Sequence, residues 1–158
     1  MNDINRHEGD NLGGVVSFNF IPVQDVESLT MPIEHRIVEP LQLKTGKYWY
    51  CGFATLGTIG FTEESQQTPN GEVYKQKFAA IRPKDDKDIS LLLNEMRNQK
   101  FIIDYTDANG QRKLIGTTDE PLFFSSVLNT KTSVAGRNEH TLIFYRDDAT
   151  HKAYIYDI

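Results

Sequence analysis

Four histidines, one cysteine and 22 aspartates and glutamates are the side chains with which this 158-residue chain could do metal, nucleophilic or acid–base chemistry. His7, His35, His140 and His151 are widely spaced, and none pairs with another at a metal-ligand interval. His140 and His151 fall on the last two strand-like segments, where facing each other across a hairpin accounts for any proximity. Cys51 alternates with strand residues, which predicts a buried structural thiol rather than a nucleophile. The acidic residues scatter over polar segments and name no carboxylate dyad. No G-x-S-x-G, P-loop or G-x-G-x-x-G occurs, and Gly57-Thr58-Ile59-Gly60 is too short and sits inside a strand run. Asp107-Ala108-Asn109-Gly110 fails as a calcium loop: with Gly110 sixth, Tyr105 would be first and Gly116 twelfth, neither a carboxylate. The residues therefore predict no catalytic residue, no metal site and no cofactor.

The elements that would position any site are organised around Asp88–Gly116. Ile89, Leu92, Leu93 and Met96 recur at i, i+3, i+4 and i+7, which predicts one amphipathic helix over about 86–99. Asp85, Asp86 and Asp88 stand at its start and Arg97 and Lys100 near its end, as caps and the helix dipole favour. Phe101–Ile103 then begins a strand that Asn109-Gly110 turns back on itself through a type I′ hairpin, with Gln111–Ile115 returning.

Strands are predicted on both sides of this unit. After an N-terminal arm at 1–11, Val16, Phe18 and Phe20 point to one face of a strand that Pro22 ends or places at an edge. His35–Val38 is a short extended piece within a loop. Lys47–Phe61 reads as a long aromatic strand run interrupted by Gly52, Gly57 and Gly60. Thr62–Gly71 reads as a ten-residue polar tip, from which Glu72–Ile81 returns to make a long β-ribbon. Pro121–Ser126 is a short strand, Val127–Glu139 a loop, and His140–Arg146 with His151–Ile158 a closing hairpin that ties the last residues into the sheet. The class is α+β: a mainly antiparallel sandwich or partly open barrel at 12–158, with one helix and a long ribbon.

The length suits one domain, and 25% charged with 39% hydrophobic residues is ordinary for a soluble globular chain. A net charge of −5 argues against nucleic acid as the main partner. No apolar run approaches the roughly 18 residues of a membrane span, and the polar N-terminus has no secretory apolar core, so a cytoplasmic origin is expected.

GGVVSFNFIPVQDV near the start, KFIIDYTDANGQRKLIG leading into PLFFSS, then AGRNEHTLIFYR and a terminal A-Y-I-Y resemble structural proteins of tailed phages and prophages of Bacteroidetes-type bacteria. The resemblance implies a tail or neck component, made in the cytoplasm and then virion-associated, that packs against copies of itself or other virion proteins. The interaction residues expected on this reading are Glu63, Glu64, Ser65, Gln66, Gln67, Thr68, Pro69 and Asn70 at the ribbon tip, with Asn2–Asn11 in the arm. The plainer reading of the tip is a tolerated surface insertion, and an interaction arm is the alternative to it. The alternative function is a small-ligand or glycan binding module using Tyr48, Trp49 and Tyr50 as an aromatic platform, although alternation lets only one or two of them face solvent. An enzyme would need a site that no sequence pattern here announces.

Overall fold

Phe101 to Tyr105 are five consecutive buried residues, including one carboxylate, so this strand is covered on both faces. The computed structural model describes residue 1, residue 4 and residues 9–158. The remainder of the arm and His7 lie outside the described residues. In chain order the elements are β1 (Val15–Pro22), β2 (Val26–Ser28), β3 (Arg36–Ile37), β4 (Gln42–Leu43), β5 (Tyr50–Gly52), β6 (Gly60–Thr68), β7 (Gly71–Pro83), α1 (Lys87–Met96), β8 (Lys100–Asp107), β9 (Arg112–Ile115), β10 (Leu122–Asn129), β11 (Glu139–Ala149) and β12 (Tyr154–Tyr156). The fold is α+β. Ten strands form one open, mixed sheet in the order β3-β12-β9-β8-β10-β11-β7-β6, with β1 paired to β8 and β5, while β2 and β4 pair separately.

The double burial of β8 follows from its neighbours. One edge pairs along its length with β1; the other is shared, with β10 opposite Lys100 and Phe101 and β9 opposite Ile103–Thr106. Phe101, Ile103 and Tyr105 enter a core with Phe18, Phe78, Ile115, Leu122 and Phe144. Ile102 enters a second core with Ile21, Ile37, Leu41, Leu114 and Tyr156. Gly52 makes the first core possible: an added Cβ there would fall 2.1 Å from the Phe18 ring.

Helix α1 starts and stops for local reasons. The Asp86 carboxylate accepts from Ile89 N (2.9 Å), and Arg97 adopts extended backbone, ending the helix earlier than 99. Ile89 and Met96 are buried as the periodicity predicts, and Leu93 is half-buried, but Leu92 remains 42% exposed over a groove.

Several expectations need correction. A bulge between Val15 and Ser17 shifts the phase of β1, so Val15 is buried and Val16 exposed, against the Val16–Phe18–Phe20 face. The Lys47–Phe61 run is not one strand: only Tyr50–Gly52 pairs, with β1, before a turn in which Thr58 N and Oγ1 both donate to Thr55 O (3.1 and 2.6 Å). The polar tip is not a loop. Strand β6 continues through it to Thr68, and Pro69-Asn70 alone turns the chain, so its polarity marks a strand exposed on both faces. Strand β10 likewise runs on to Asn129. The Asn109-Gly110 turn is a three-residue loop rather than type I′. Only Gly110 has positive φ (81°), because the Asp107 carboxylate accepts from Asn109 N and Gln111 N (2.9 and 2.8 Å) and Asp107 N donates to Gln111 O (3.0 Å). The last two segments form no hairpin. Both edges of β11 are filled, by β10 and β7, so the chain crosses over and β12 pairs antiparallel with β9 and parallel with β3.

Candidate interaction surfaces

The ribbon is the most extended surface feature. Strand β7 pairs with β11 only as far as Tyr74 opposite Ala149, so Ser65–Val73 is held by the ribbon's own cross-strand bonds. Among the described residues β6 is the last strand of the sheet path, and none of them pairs with its outer edge. The phase of that edge can be read from its root. Ile59 turns its carbonyl outwards, where Val15 N donates to it (3.3 Å). Counting on in twos, Phe61, Glu63, Ser65 and Gln67 present their backbone N–H and C=O away from β7. Among the described residues no hydrogen bond from outside the ribbon reaches the backbone N–H or C=O of Glu63, Ser65 or Gln67.

Of the eight expected tip residues, Glu63 belongs elsewhere. Its Oε2 accepts from Gln76 Nε2 (3.0 Å) and Ala153 N (2.7 Å), and Gln76 Nε2 also donates to His151 O (3.0 Å). This polar clamp pins the crossing from β11 to β12 against the ribbon's inner face. Gln76 is buried, and the clamp satisfies it. Glu64, Ser65, Gln66, Gln67, Pro69 and Asn70 are exposed; Thr68 is half-buried and its hydroxyl donates to Gly71 O (2.6 Å).

Tyr48, Trp49 and Tyr50 divide as alternation requires. Tyr48 is exposed and its ring lies 5.0 Å from that of Tyr50, which stacks on Phe20 at 5.7 Å. Trp49 points the other way and packs on the second core. Below Tyr50 lies a pocket of about 210 Å³, floored by Phe20, Phe101 and Met96 and edged by Asp25, Lys47 and Glu95. Lys47 Nζ stands 3.1 Å from the Asp25 carboxylate, whose bond and charge raise the ammonium pKa. Phe20, Leu92 and Met96 also line an adjoining apolar cavity of about 240 Å³, with Phe53 at its mouth. Sequence periodicity missed this groove because it assigned Leu92 to the packed face. The Leu91-Leu92-Leu93 run was its only trace, since three successive leucines cannot all face one core.

The remaining polar groups serve packing. Asp104, 1% exposed, receives Arg112 Nε and Nη2 in a bidentate pair (2.8 and 2.6 Å). The guanidinium lies 4.7 Å over the Tyr156 ring, and Asp104 raises its pKa. Burial pushes the Tyr156 phenol up, while its oxygen accepts from Leu41 N (3.0 Å). His140 does not meet His151: it is buried between β10 and β7, with Nε2 2.9 Å from Asp85 Oδ1, whereas His151 lies against Tyr154 (5.8 Å). Cys51 is exposed, not buried, because β5 is a short edge strand paired with β1 alone. Among the described residues no three His, Cys, Asp or Glu side chains converge as a metal site would require. No helix among them is long and apolar enough to cross a membrane.

In the loop between β8 and β9, Asn109 holds the chain that leads into the arm. Its Oδ1 accepts from Leu12 N (2.9 Å) and its Nδ2 donates to Leu12 O (2.8 Å), so one side-chain amide pairs with a backbone as a strand would. No family model, curated protein or solved structure matches this chain.

Proposed function

We propose that the protein is a non-enzymatic structural subunit that works through subunit–subunit interfaces, in the manner of the phage tail and neck components its sequence resembles. The observation that carries this reading is the open outer edge of β6 on an overhanging ribbon. Unpaired strand edges recruit further strands unless they are blocked, and this one carries neither a lysine nor a proline before the turn. The partners on this reading are copies of the chain or other virion proteins, and the net charge of −5 disfavours nucleic acid as the main one. Synthesis in the cytoplasm followed by incorporation into a virion belongs to the same proposal.

Light scattering after gel filtration over a range of concentrations, with electron micrographs of each peak, tests it. Oligomers, rings or tubes are expected. A variant in which an Asn-Gly turn joins Glu64 directly to Lys75, its cross-strand partner, removes the overhang and spares the Glu63–Gln76 clamp. It should melt near wild type and stay monomeric; a variant that assembles as wild type does would sink the ribbon's role.

One observation favours a second reading, a small-ligand or glycan module: the pocket below Tyr50 joins an aromatic floor to a carboxylate and an ammonium. A thermal-shift screen with a glycan panel separates the two, since only this reading expects a stabilisation that Tyr50→Ala abolishes.

A further inference from the structure

The open edge of β6 is nearly its own mirror. From Thr62 the sequence runs Thr-Glu-Glu-Ser-Gln-Gln-Thr, ending at Thr68. About Ser65, each threonine matches a threonine and each glutamate its neutral isostere, glutamine. We infer that this edge pairs with the same edge of a second copy of the chain, antiparallel and about a twofold axis at Ser65. This rests on the interface reading above and gives it a symmetry and a register.

In that register Ser65 opposes Ser65 of the second copy, Glu64 opposes Gln66, Glu63 opposes Gln67 and Thr62 opposes Thr68. The backbone phase agrees: Glu63, Ser65 and Gln67 are the residues whose N–H and C=O face outwards, and in this pairing they meet one another. The side chains agree as well. A glutamine amide donates and a carboxylate accepts, so Glu64 and Gln66 can close a hydrogen bond on each side of the axis, Gln67 can meet the Glu63 oxygen that the clamp does not use, and no like charges stand opposite. A parallel pairing in the same place would set Glu63 and Glu64 beside their own copies. The twofold arrangement is isologous and closes on itself, so its product is a dimer with one continuous sheet. Any larger assembly would be built from such dimers through other surfaces.

Three variants test the register by sedimentation equilibrium and light scattering on the full chain. Gln66→Glu sets it against Glu64 twice across the axis and should raise the dimer dissociation constant roughly tenfold. Glu64→Gln with Gln66→Glu exchanges the two and should restore it. Both positions are exposed side chains, so melting temperatures should stay near wild type. Ser65→Cys on a Cys51→Ser background places two thiols at the axis, about 5.5 Å apart at Cα, within disulfide reach, and should give a covalent dimer on oxidation. Dimers with rescue and cross-linking bear the inference out. Rings or larger species that ignore the exchange and do not cross-link at Ser65 overturn the twofold pairing and leave the structural role standing. A monomer at every concentration overturns the twofold pairing and every assembly of the chain with itself, and leaves the structural role only with other virion proteins as partners.

Discussion

The Asp104–Arg112 pair shows how much a single position can carry. Asp104 sits on the second face of the most buried strand, where an unpaired carboxylate is costly, and Arg112, eight residues along the hairpin, supplies its two short hydrogen bonds beside a longer one from Asn19 Nδ2 (3.4 Å). Arg112→Leu should therefore destabilise the protein by about 3 kcal/mol in urea unfolding, the scale on which a buried charge loses its partner. Replacing both residues by leucine should recover most of the loss, because the buried charge goes with its partner. A double variant as unstable as the single one would show that Arg112 acts through its packing on Tyr156 instead. None of this was legible in the sequence, where Asp104 is one polar letter in a run of apolar ones; only the pairing of β8 with β9 brings the two side chains together.

Local chemistry was legible wherever it decides an element alone. The helix could be read because its apolar spacing, its acidic start and the break before β8 all act within a few residues. Asp86 is the clearest case: its bond from Ile89 N, supported by Arg82, holds its carboxyl below the usual range. A group with a lowered folded pKa stabilises above its unfolded pKa and loses that contribution as pH falls through the folded one. Asp86→Ala should thus lower the melting temperature at neutral pH, and the gap from wild type should close as pH falls below the ordinary aspartate range. Melting curves across pH check both halves. The strands were less legible because polarity has two causes. Thr62–Gly71 is polar for lack of burial, not for lack of strand structure, and only the two-residue turn tells a ribbon from a loop. The closing hairpin misled for a related reason. Adjacent strands usually pair, but β11 has no edge left to offer, and that depends on β10 and β7 rather than on the last residues themselves.

At the scale of the molecule, two cores share strands β1, β8 and β9, and the surfaces that could meet partners sit where that arrangement runs out. The ribbon leaves the sheet beyond Tyr74, and the Tyr50 pocket with its apolar neighbour opens where α1 meets β1 and β5. The ribbon was foreseen as a surface but not as an edge, since an edge exists only once every other strand has been placed. The chain ahead of Leu12 departs from the β8–β9 loop, tied there by Asn109, and that tie carries a chemical clock. An asparagine followed by glycine loses its amide when the next backbone nitrogen attacks the side-chain carbonyl and water reopens the ring. Here that nitrogen belongs to Gly110, which donates to Asp107 O while the Asn109 amide is bound to Leu12. Both restraints must open before the reaction proceeds. Afterwards a carboxylate faces the Leu12 carbonyl where a donor stood, and the two repel. Aged protein should therefore carry isoaspartate at position 109 and be cleaved faster near Gly13 in limited proteolysis, and Asn109→Asp should reproduce that cleavage in fresh protein. The same two bonds that seat the start of the chain would then date each molecule by their loss.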